Sequence, residues 1–156
     1  MIERLDAIAI KILKVLQQNA KLTTKELAEA VHLSPSPTFE RQKRLEREGY
    51  IKKYVAVVDP EMAGNGMLVL CNIRLKQHGK DYAREFVDAV QKMEEVTECY
   101  NTSGDYDFII KVYVRNMRHY QDFVLNRLGD MESIGSVHSV FVIGTVKCLH
   151  SVPVAQ

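Results

Sequence analysis

Residues Thr23–Lys53, TTKELAEAVHLSPSPTFERQKRLEREGYIKK, contain the pattern that decides the organisation of the first third of the chain. Thr23 and Glu26 have the spacing of a capping box, in which each side chain bonds the backbone N–H of the other residue at a helix start. The run His32-Leu33-Ser34 then interrupts the helix. The first residue of such a turn needs a positive φ, which histidine adopts less easily than glycine but more easily than most residues. The pattern predicts a short helix followed by a tight turn.

A further helix is predicted after the turn. Ser34 is a suitable N-cap, and Pro35 fits the first helical position because proline has no N–H to leave unpaired there. Gly49 is a natural left-handed stop. Two short helices joined by a tight turn form a helix-turn-helix, in which the N-terminal part of the second helix enters the major groove of DNA. We therefore expect double-stranded DNA as a partner.

The helix after the turn supplies the side chains that we expect at the DNA. Its outward positions predict contacts with base edges, and its basic residues predict contacts with phosphates. Glu40 and Arg44, four residues apart, leave a second interpretation open, a salt-bridged surface helix. The expected DNA-binding residues are Ser34 at the helix start, Ser36, Thr38, Phe39, Glu40 and Lys43 for the bases, and Arg41, Arg44, Arg47, Lys52 and Lys53 for the phosphates.

Two residues do not fit the expected faces of this helix. Gln42 falls where the inward face should be apolar, and Phe39 falls near the outward face. Either the helix is rotated about its axis, or Phe39 contacts DNA, where a phenyl ring can pack on a thymine methyl group.

Charge is divided unevenly along the chain. Residues 1–53 carry eleven Lys and Arg against seven Asp and Glu, a net charge of +4, whereas residues 54–156 carry ten against thirteen, a net charge of −3. A basic first third joined to an acidic remainder is expected when only one end approaches a phosphate backbone. A chance asymmetry of the solvated surface is the alternative.

The composition disfavours several other classes of protein. Cys71, Cys99 and Cys148 lie far apart without a CxxC pair, so neither a disulfide framework nor a zinc site is predicted. The acidic Glu3 and Asp6 leave no uninterrupted apolar segment for a signal peptide. No stretch approaches the about 20 apolar residues that span a bilayer. We expect a folded cytoplasmic protein with no membrane partner.

The rest of the chain alternates between strand and helix patterns in the order β-α-β-β-α-β, the ferredoxin-like arrangement. The predicted fold class is α+β: an N-terminal helix-turn-helix (winged-helix-like) domain at 1–50, a linker strand at 51–63 and a βαββαβ ferredoxin-like sandwich domain for effector binding and oligomerisation at 64–156. The predicted elements are a first helix around Leu5–Leu16, a β-rich run at Tyr50–Val58, strands at Met67–Leu75, Val96–Thr102, Phe108–Val114 and His138–Lys147, and helices at Lys80–Met93 and Met117–Leu128.

An antiparallel sheet with two helices on one face leaves its other face uncovered. That face is predicted to be rich in Val, Ile, Leu and Tyr, and a second copy of the chain is the simplest partner to cover it. We therefore expect a homodimer.

The turn Ser103-Gly104-Asp105-Tyr106-Asp107 is the second informative stretch. A glycine lets the backbone approach a ligand, exposed amides hold a carboxylate and an aspartate holds an ammonium, which together suit a free amino acid. An ordinary hairpin turn is the alternative reading.

No catalytic constellation or metal site is predicted, and no cofactor. His32, His78, His119, His138 and His150 show neither HxH nor HxxxH spacing, and the chain has no GxGxxG or P-loop. Two alternatives stay open. One is a small ferredoxin-like oxidative enzyme with His119 or His138 as base or haem ligand, and the other is an effector-binding subunit with a vestigial helix-turn-helix.

The chain carries a succession of short motifs: Leu5-Asp6, Ile12-Leu13, Asn19-Ala20, Glu26-Leu27-Ala28, Leu33-Ser34, Arg41, Arg44-Leu45-Glu46, Gly49-Tyr50-Ile51 and Ser103–Asp107. With these motifs the chain resembles the leucine-responsive / asparagine-regulator (Lrp/AsnC) family of prokaryotic transcription factors, over nearly its whole length. The family usually has an acid and an apolar residue where this chain has Ala9 and Gln42.

The resemblance implies a homodimer, often assembled into a disc of four dimers, that binds DNA and responds to an amino acid. It also implies an effector site between dimers, near the turn at Ser103–Asp107 and the loop before the last strand. In that loop the family usually has Leu-Pro-Gly-Val where this chain has Met131-Glu132-Ser133-Ile134. The effector-binding residues so expected are Ser103, Gly104, Asp105, Tyr106, Asp107, Ser133, Ile134, Gly135, Ser136 and His138.

Overall fold

The computed structural model of the protein describes residues 5–77 and 79–155, and these form two compact units. One unit extends to Ala56 and takes in the chain again from Lys147, and the other extends from Val57 to Val146. No helix among the described residues has the length and apolar character needed to cross a membrane. His78, one of the five histidines considered above, lies outside the described residues.

The first unit contains three helices, α1 (Ala7–Gln18), α2 (Thr24–Val31) and α3 (Pro35–Arg47). The predicted capping box is present at the start of α2, where Glu26 N–H donates to the Thr23 hydroxyl at 3.2 Å and Thr23 N–H donates to the Glu26 carboxylate at 2.7 Å. The turn after α2 has His32 at φ 58° and ψ 47°, the left-handed conformation expected from the sequence. The helix-turn-helix is therefore confirmed.

The three helices pack around a core of apolar side chains that recur at helical spacing. Ile12, Leu27 and Leu45 are almost completely buried in it. The C-terminal tail belongs to the same unit, because the amide of Gln17 in α1 exchanges two hydrogen bonds with the backbone of Val152, at 2.7 and 3.1 Å. Val154 also packs against the core. The sequence prediction placed this tail in the second domain, whereas its contacts group it with the first unit.

The second unit is a four-stranded antiparallel sheet in the order β2-β3-β1-β4, with helices in the sequence β-α-β-β-α-β. This is the predicted ferredoxin-like topology. The strands are β1 (Met67–Leu75), β2 (Val96–Asn101), β3 (Phe108–Val114) and β4 (Ile134–Phe141), and the helices are α4 (Lys80–Val90) and α5 (Met117–Phe123), which continues as a π-helical turn at Val124–Leu128.

Alternate residues of the central strands face the helices. Val69, Cys71 and Ile73 of β1 are fully buried, as are Ile110 and Val112 of β3. The aromatic side chains Phe86, Phe108, Tyr120 and Phe123 complete this core, with the rings of Phe86 and Phe108 4.7 Å apart. The opposite face of the sheet carries the intervening side chains.

The predicted linker strand is wrong, because residues 53–59 have no regular secondary structure. Val55, Val57 and Val58 are about two-thirds exposed (65%, 67% and 65%). Valine favours strands where a partner strand and a packed face are present. The run lacks strand pairing, and its valines stay exposed to solvent.

The bounds of the last strand were also predicted wrongly, since β4 is Ile134–Phe141 and the prediction was His138–Lys147. β4 pairs with β1 from Leu75↔Ile134 to Val69↔Phe141, and Val142 N–H donates to the Leu68 carbonyl at 3.0 Å. Because the two strands are antiparallel and β1 begins at Met67, β4 has no partner strand beyond this point. The strand length is thus set by β1 and not by the local sequence.

Candidate DNA-binding and effector sites

Most of the predicted DNA-binding side chains, which lie in α3 or next to it, are exposed to solvent. Thr38 is the exception: its side chain is fully buried, and its hydroxyl donates to the Ser34 carbonyl at 2.9 Å. The prediction of a base contact by Thr38 is therefore wrong. Ser34 is the N-cap residue, but its side chain makes no capping hydrogen bond. The exposed predicted residues are Ser34, Ser36, Phe39, Glu40, Lys43, Arg44, Arg47, Lys52 and Lys53.

Arg41 connects α3 to the start of α1. Its guanidinium forms an ion pair with the carboxylate of Asp6, which also caps α1 by accepting a hydrogen bond from the Ala9 N–H at 2.7 Å. The hydrogen bond from Arg41, followed by that from Ala9, holds the pKa of the Asp6 carboxyl below its ordinary value. Arg41 is partly buried in this pair. Its first role is therefore to join two helices of the DNA-binding unit.

Lys43 and Phe39 lie one turn apart on the exposed face of α3. The Lys43 ammonium is 5.6 Å from the centroid of the Phe39 ring and donates to the Glu46 carboxylate at 2.7 Å. Phe39 is 43% exposed, which confirms its outward position. The Glu46 carboxylate raises the pKa of Lys43, and Lys43 in turn lowers the pKa of Glu46. The ammonium is thus held between a carboxylate and an aromatic ring.

A hydrogen bond to Tyr54 accommodates the polar side chain of Gln42 at a position where an apolar residue was expected. The Gln42 amide donates to the Tyr54 hydroxyl at 2.9 Å, and that hydroxyl donates to Glu46 at 3.0 Å. Gln42 is half-buried under the segment that follows α3 and does not enter the helical core. A polar residue is therefore satisfied at a position where an apolar residue was expected.

Ion pairs along α3 confirm part of the salt-bridged description of this helix. Arg44 pairs with Glu48 at 2.7 Å. Exposed pairs of this kind contribute only about 0.3–0.5 kcal/mol each. Basic side chains in such weak pairs can exchange a carboxylate for a phosphate at small cost, so the pairs do not argue against DNA binding.

The predicted effector turn, Ser103–Asp107, is fixed to the end of β1. Asp107 N–H donates to the Ile73 carbonyl at 2.9 Å, and the Asp107 carboxylate accepts from Leu75 N–H at 2.8 Å. Thr102 closes the turn from within by donating its hydroxyl to the Tyr106 carbonyl at 2.7 Å. Gly104 has φ 121°, a conformation that L side chains rarely adopt. The turn is a defined loop held by main-chain and carboxylate bonds.

The second predicted effector segment lies beside the same end of β1. Lys76 N–H donates to the Ser133 carbonyl at 2.9 Å, and Ile134 and Ser136 pair with Leu75 and Arg74. A Cβ on Gly135 would lie 3.1 Å from the Leu75 carbonyl oxygen, so a side chain there would press on β1. The two segments are far apart in sequence and flank one strand end.

Aromatic contacts join these two segments across the sheet. The rings of Tyr106 and His138 are stacked with centroids 6.1 Å apart. The Arg74 guanidinium lies 5.7 Å from the Tyr106 ring centroid and donates to the Asp105 carbonyl at 2.9 Å. Asp105 and Tyr106 therefore contact Arg74, and His138 joins this group through Tyr106. Arg74 was not among the predicted site residues.

Ser133 differs from its neighbours in this segment. Its side chain is fully buried, and its hydroxyl has no hydrogen-bond partner among the described residues. An effector on the protein surface would not reach it without local opening. The predicted effector contact at Ser133 therefore involves a side chain that is closed to solvent in this conformation.

A cavity of about 310 Å³ opens beside the turn, at the start of α4. Asp107 is the one predicted effector residue in its lining, with Lys80 and Asn101 as further polar side chains. Lys80 and Asn101 were missed, because an exposed lysine at a helix start and an asparagine at a strand end carry no local signal. The remaining lining residues are Leu75, Gly79, Ala83 and Phe108.

The histidines named in the enzyme alternative occupy different environments. Nε2 of His119 is 3.7 Å from the Glu95 carboxylate, and its Nδ1 accepts from Arg115 N–H at 3.3 Å. His138 is exposed beside Tyr106. Over residues 5–77 and 79–155, no group of three or more His, Cys, Asp or Glu side chains is arranged to hold a metal ion.

Comparison with known proteins relates both units to characterised families. Residues 5–52 match the winged helix-turn-helix DNA-binding family, and residues 68–152 match the Lrp/AsnC ligand binding domain. The leucine-responsive regulatory protein of Haemophilus influenzae is 38% identical over 92% of this chain and 86% of its own length. The DNA-binding transcriptional activator DecR of Escherichia coli K12 is 34% identical over 96% of this chain and 99% of its own.

Solved structures agree with these sequence matches. A transcriptional regulator from Neisseria meningitidis, solved as an L-Met complex, superposes with a TM-score of 0.93 at 35% identity, covering 96% of this chain and 97% of its own. Escherichia coli AsnC superposes with a TM-score of 0.84 at 28% identity, covering 93% and 96%. The helix-turn-helix, the βαββαβ sheet unit and these relatives together show that the chain belongs to the Lrp/AsnC family of ligand-responsive, DNA-binding transcriptional regulators.

Proposed function

We propose that the protein represses or activates transcription by binding DNA through the exposed face of α3, and that a free amino acid controls this binding. The proposal that an amino acid is the effector rests on the cavity beside the turn, which is lined by Asp107, Lys80 and Asn101. A carboxylate, an ammonium and an amide are the groups that recognise the two charges of a zwitterion. The L-Met complex of the Neisseria meningitidis relative supports this ligand class.

In this proposal the amino acid binds with its ammonium toward Asp107 and its carboxylate toward Lys80. The apolar lining of Leu75, Ala83 and Phe108 receives the side chain of the ligand. Because Asp107 also holds Leu75 N–H at 2.8 Å, binding at its carboxylate acts on the bond that fixes the turn to β1. The ligand changes the assembly to the extent that it binds one arrangement of this region better than another.

A thermal-shift panel of the twenty L-amino acids tests the effector proposal. An amino acid at a hundred times its dissociation constant stabilises the folded state by about 2.7 kcal/mol. Lys80→Gln removes the positive charge in the cavity lining and is expected to abolish the shift. Lys92→Gln, the same change at an exposed lysine of the same unit, is expected to keep it. A flat response of the wild type across the panel would contradict the proposal.

DNA binding by α3 is tested by the salt dependence of affinity. Arg47→Glu is expected to weaken binding to every duplex and to reduce the slope of log affinity against log salt by about one or more. Arg84→Glu makes the same charge reversal on the exposed face of α4 and is expected to leave both unchanged. Equal effects of the two variants would contradict a binding surface on α3 and favour the vestigial helix-turn-helix.

We further propose that the uncovered sheet face joins two copies of the chain. Leu68, Leu70, Ile109, Tyr113 and Val140 lie on that face, as their register with the buried positions of the neighbouring strands requires. Val140 is 41% exposed. Val140→Glu is expected to shift the sedimentation coefficient toward the monomer, whereas Val55→Glu, at an exposed valine of the first unit, is not. A tetramer of dimers would appear in the same sedimentation experiment.

A regulator of this kind acts through binding, so we propose no catalytic activity, no metal and no cofactor for it. DNA as the partner implies action in the compartment that holds the chromosome, which for a prokaryotic cell is the cytoplasm.

A further inference from the structure

Phe39 is an aromatic side chain on the polar side of α3. It is 43% exposed, whereas its neighbour Thr38 is fully buried on the inner face of the helix. A single exposed apolar residue is common on protein surfaces and indicates nothing by itself. The surroundings of Phe39 are what distinguish it.

The ring of Phe39 is part of an ordered group of side chains. Lys43, one turn further along α3, lies with its ammonium 5.6 Å from the ring centroid. That ammonium donates to the Glu46 carboxylate at 2.7 Å, and the same carboxylate accepts from the Tyr54 hydroxyl at 3.0 Å. A flexible lysine is thereby restrained beside the ring. The exposed stripe presents, in order along the helix, the Ser36 hydroxyl, the Phe39 ring and the Lys43 ammonium.

The position of this stripe in the helix-turn-helix decides what it meets. Residues in the first half of the second helix approach base edges in the major groove. The apolar group on those edges is the 5-methyl of thymine, whereas the other groups are hydrogen-bond donors and acceptors. An aromatic ring that offers no hydrogen bond is complementary to that methyl.

We infer that Phe39 is a specificity-determining residue that contacts the 5-methyl group of a thymine, with Lys43 restraining the ring. The inference rests on the proposed DNA binding through α3 and adds the base that it selects. Tyr54 and Glu46 are positioning residues, because they reach the ring only through Lys43.

Replacing thymine by uracil tests the contact, because it removes only the methyl group. Duplexes bound by the full-length wild-type chain are first selected from a random-sequence library. Each thymine of a selected duplex is then replaced by uracil, one at a time, and affinity is measured by fluorescence anisotropy. At one thymine of each bound site we expect the wild type to lose about fourfold in affinity, the effect of no longer burying one methyl group.

Phe39→Ala is expected to lose affinity for the thymine duplex and to show no further loss with uracil at that position. Phe39→Leu keeps an apolar contact and is expected to retain most of the sensitivity to the methyl group. Met62→Ala removes another exposed apolar side chain, 87% exposed in the second unit, and is expected to behave like the wild type. Unchanged melting temperatures show that the variants are folded.

Two results would overturn the inference while leaving DNA binding in place. One is a wild type that binds its selected duplexes equally well with uracil at every position. The other is a Phe39→Ala variant as sensitive to uracil as the wild type. If no duplex is enriched in the selection, the proposed DNA-binding function fails, and the inference fails with it.

Discussion

The carboxylate of Asp107 accepts a hydrogen bond from the backbone N–H of Leu75 at 2.8 Å, and this bond ties the turn before β3 to the end of β1. Asp107→Ala leaves that N–H without its carboxylate partner, so we expect the free energy of unfolding to fall by about 2 kcal/mol. Urea denaturation measures the change. Asp105→Ala is the control, because Asp105 is joined to Arg74 through its backbone carbonyl and is expected to change stability by less than about 0.5 kcal/mol. Equal losses in the two variants would show that the Asp107 carboxylate does not hold the turn.

Because His32 has a left-handed backbone conformation, we expect a glycine at this position to increase the stability of the protein. His32 has φ 58° and is exposed, so His32→Gly removes the steric cost of a Cβ and loses no buried contact. We expect the free energy of unfolding to rise by up to about 1 kcal/mol, and His32→Val to lower it by about 1–2 kcal/mol. Thermal unfolding monitored by circular dichroism distinguishes the two. A destabilising His32→Gly would mean that the imidazole makes a contribution of its own.

The ion pair between Asp6 and Arg41 predicts a pH-dependent contribution to stability. The folded protein lowers the pKa of Asp6, so the contribution is present above the unfolded pKa of about 3.9 and is lost as the pH falls through the lower folded value. Asp6→Asn should therefore be less stable than the wild type at pH 7, and the difference should shrink below about pH 4. Thermal unfolding at stepwise lower pH measures it, with Asp130→Asn at an exposed position as control. A difference that does not vary with pH would contradict this role of the carboxylate.

A buried hydroxyl bridges two strands in the second unit. The Tyr120 hydroxyl lies 3.1 Å from the Cys71 thiol and within hydrogen-bond distance of the Ser139 hydroxyl. Burial raises the pKa of the Tyr120 hydroxyl, so it remains a neutral hydrogen-bonding group. Tyr120→Phe should cost about 1 kcal/mol of unfolding free energy. Because Tyr120 and Ser139 share a bond, the losses in Tyr120→Phe and Ser139→Ala should not add in the double variant, as urea denaturation can test.

The side chain of Gln17 in α1 bonds the backbone of the C-terminal tail at Val152, so replacing this one side chain should loosen the tail. Val152 N–H donates to the Gln17 side-chain oxygen at 2.7 Å. Gln17→Ala should speed hydrogen exchange of the Val152 amide by about tenfold, the factor that corresponds to one hydrogen bond of about 1.4 kcal/mol. Gln18→Ala changes the exposed neighbour and should leave that exchange rate unaltered. Equal exchange in both variants would mean that the tail is held by its apolar contacts.

Local features of the fold were predictable because their signals are local. The capping box at Thr23, the left-handed His32 and the strands Met67–Leu75 and Phe108–Val114 depend on residues a few positions apart, and all were predicted correctly. The run at Tyr50–Val58 and the end of β4 were predicted wrongly. Both depend on whether a partner strand is present, and the partner of the end of β4, at Val69, lies about seventy residues earlier in the chain.

The candidate sites show the same division. Phe39 and Gln42 were recognised as misfits from helical periodicity, but their surroundings depend on Tyr54, which lies outside the helix. The inward rotation of Thr38 was missed because serine and threonine suit either face of a helix. At the effector site the two loops were predicted, whereas Lys80 and Asn101 enter the cavity only through the packing of α4 and β2.

The sequence by itself determined the order of helices and strands, the basic helix-turn-helix, the acidic βαββαβ unit and the membership of the Lrp/AsnC family. The first three follow from periodicity, capping residues and charge, which act between near neighbours, and the family membership follows from the resemblance of the sequence to known regulators. The tertiary structure alone decided that Arg41 pairs with Asp6, that the tail joins the first unit and that Asp107, Asn101 and Lys80 line one cavity. These depend on contacts between residues distant in the chain, which form only when the hydrophobic core has fixed the strands and helices in register.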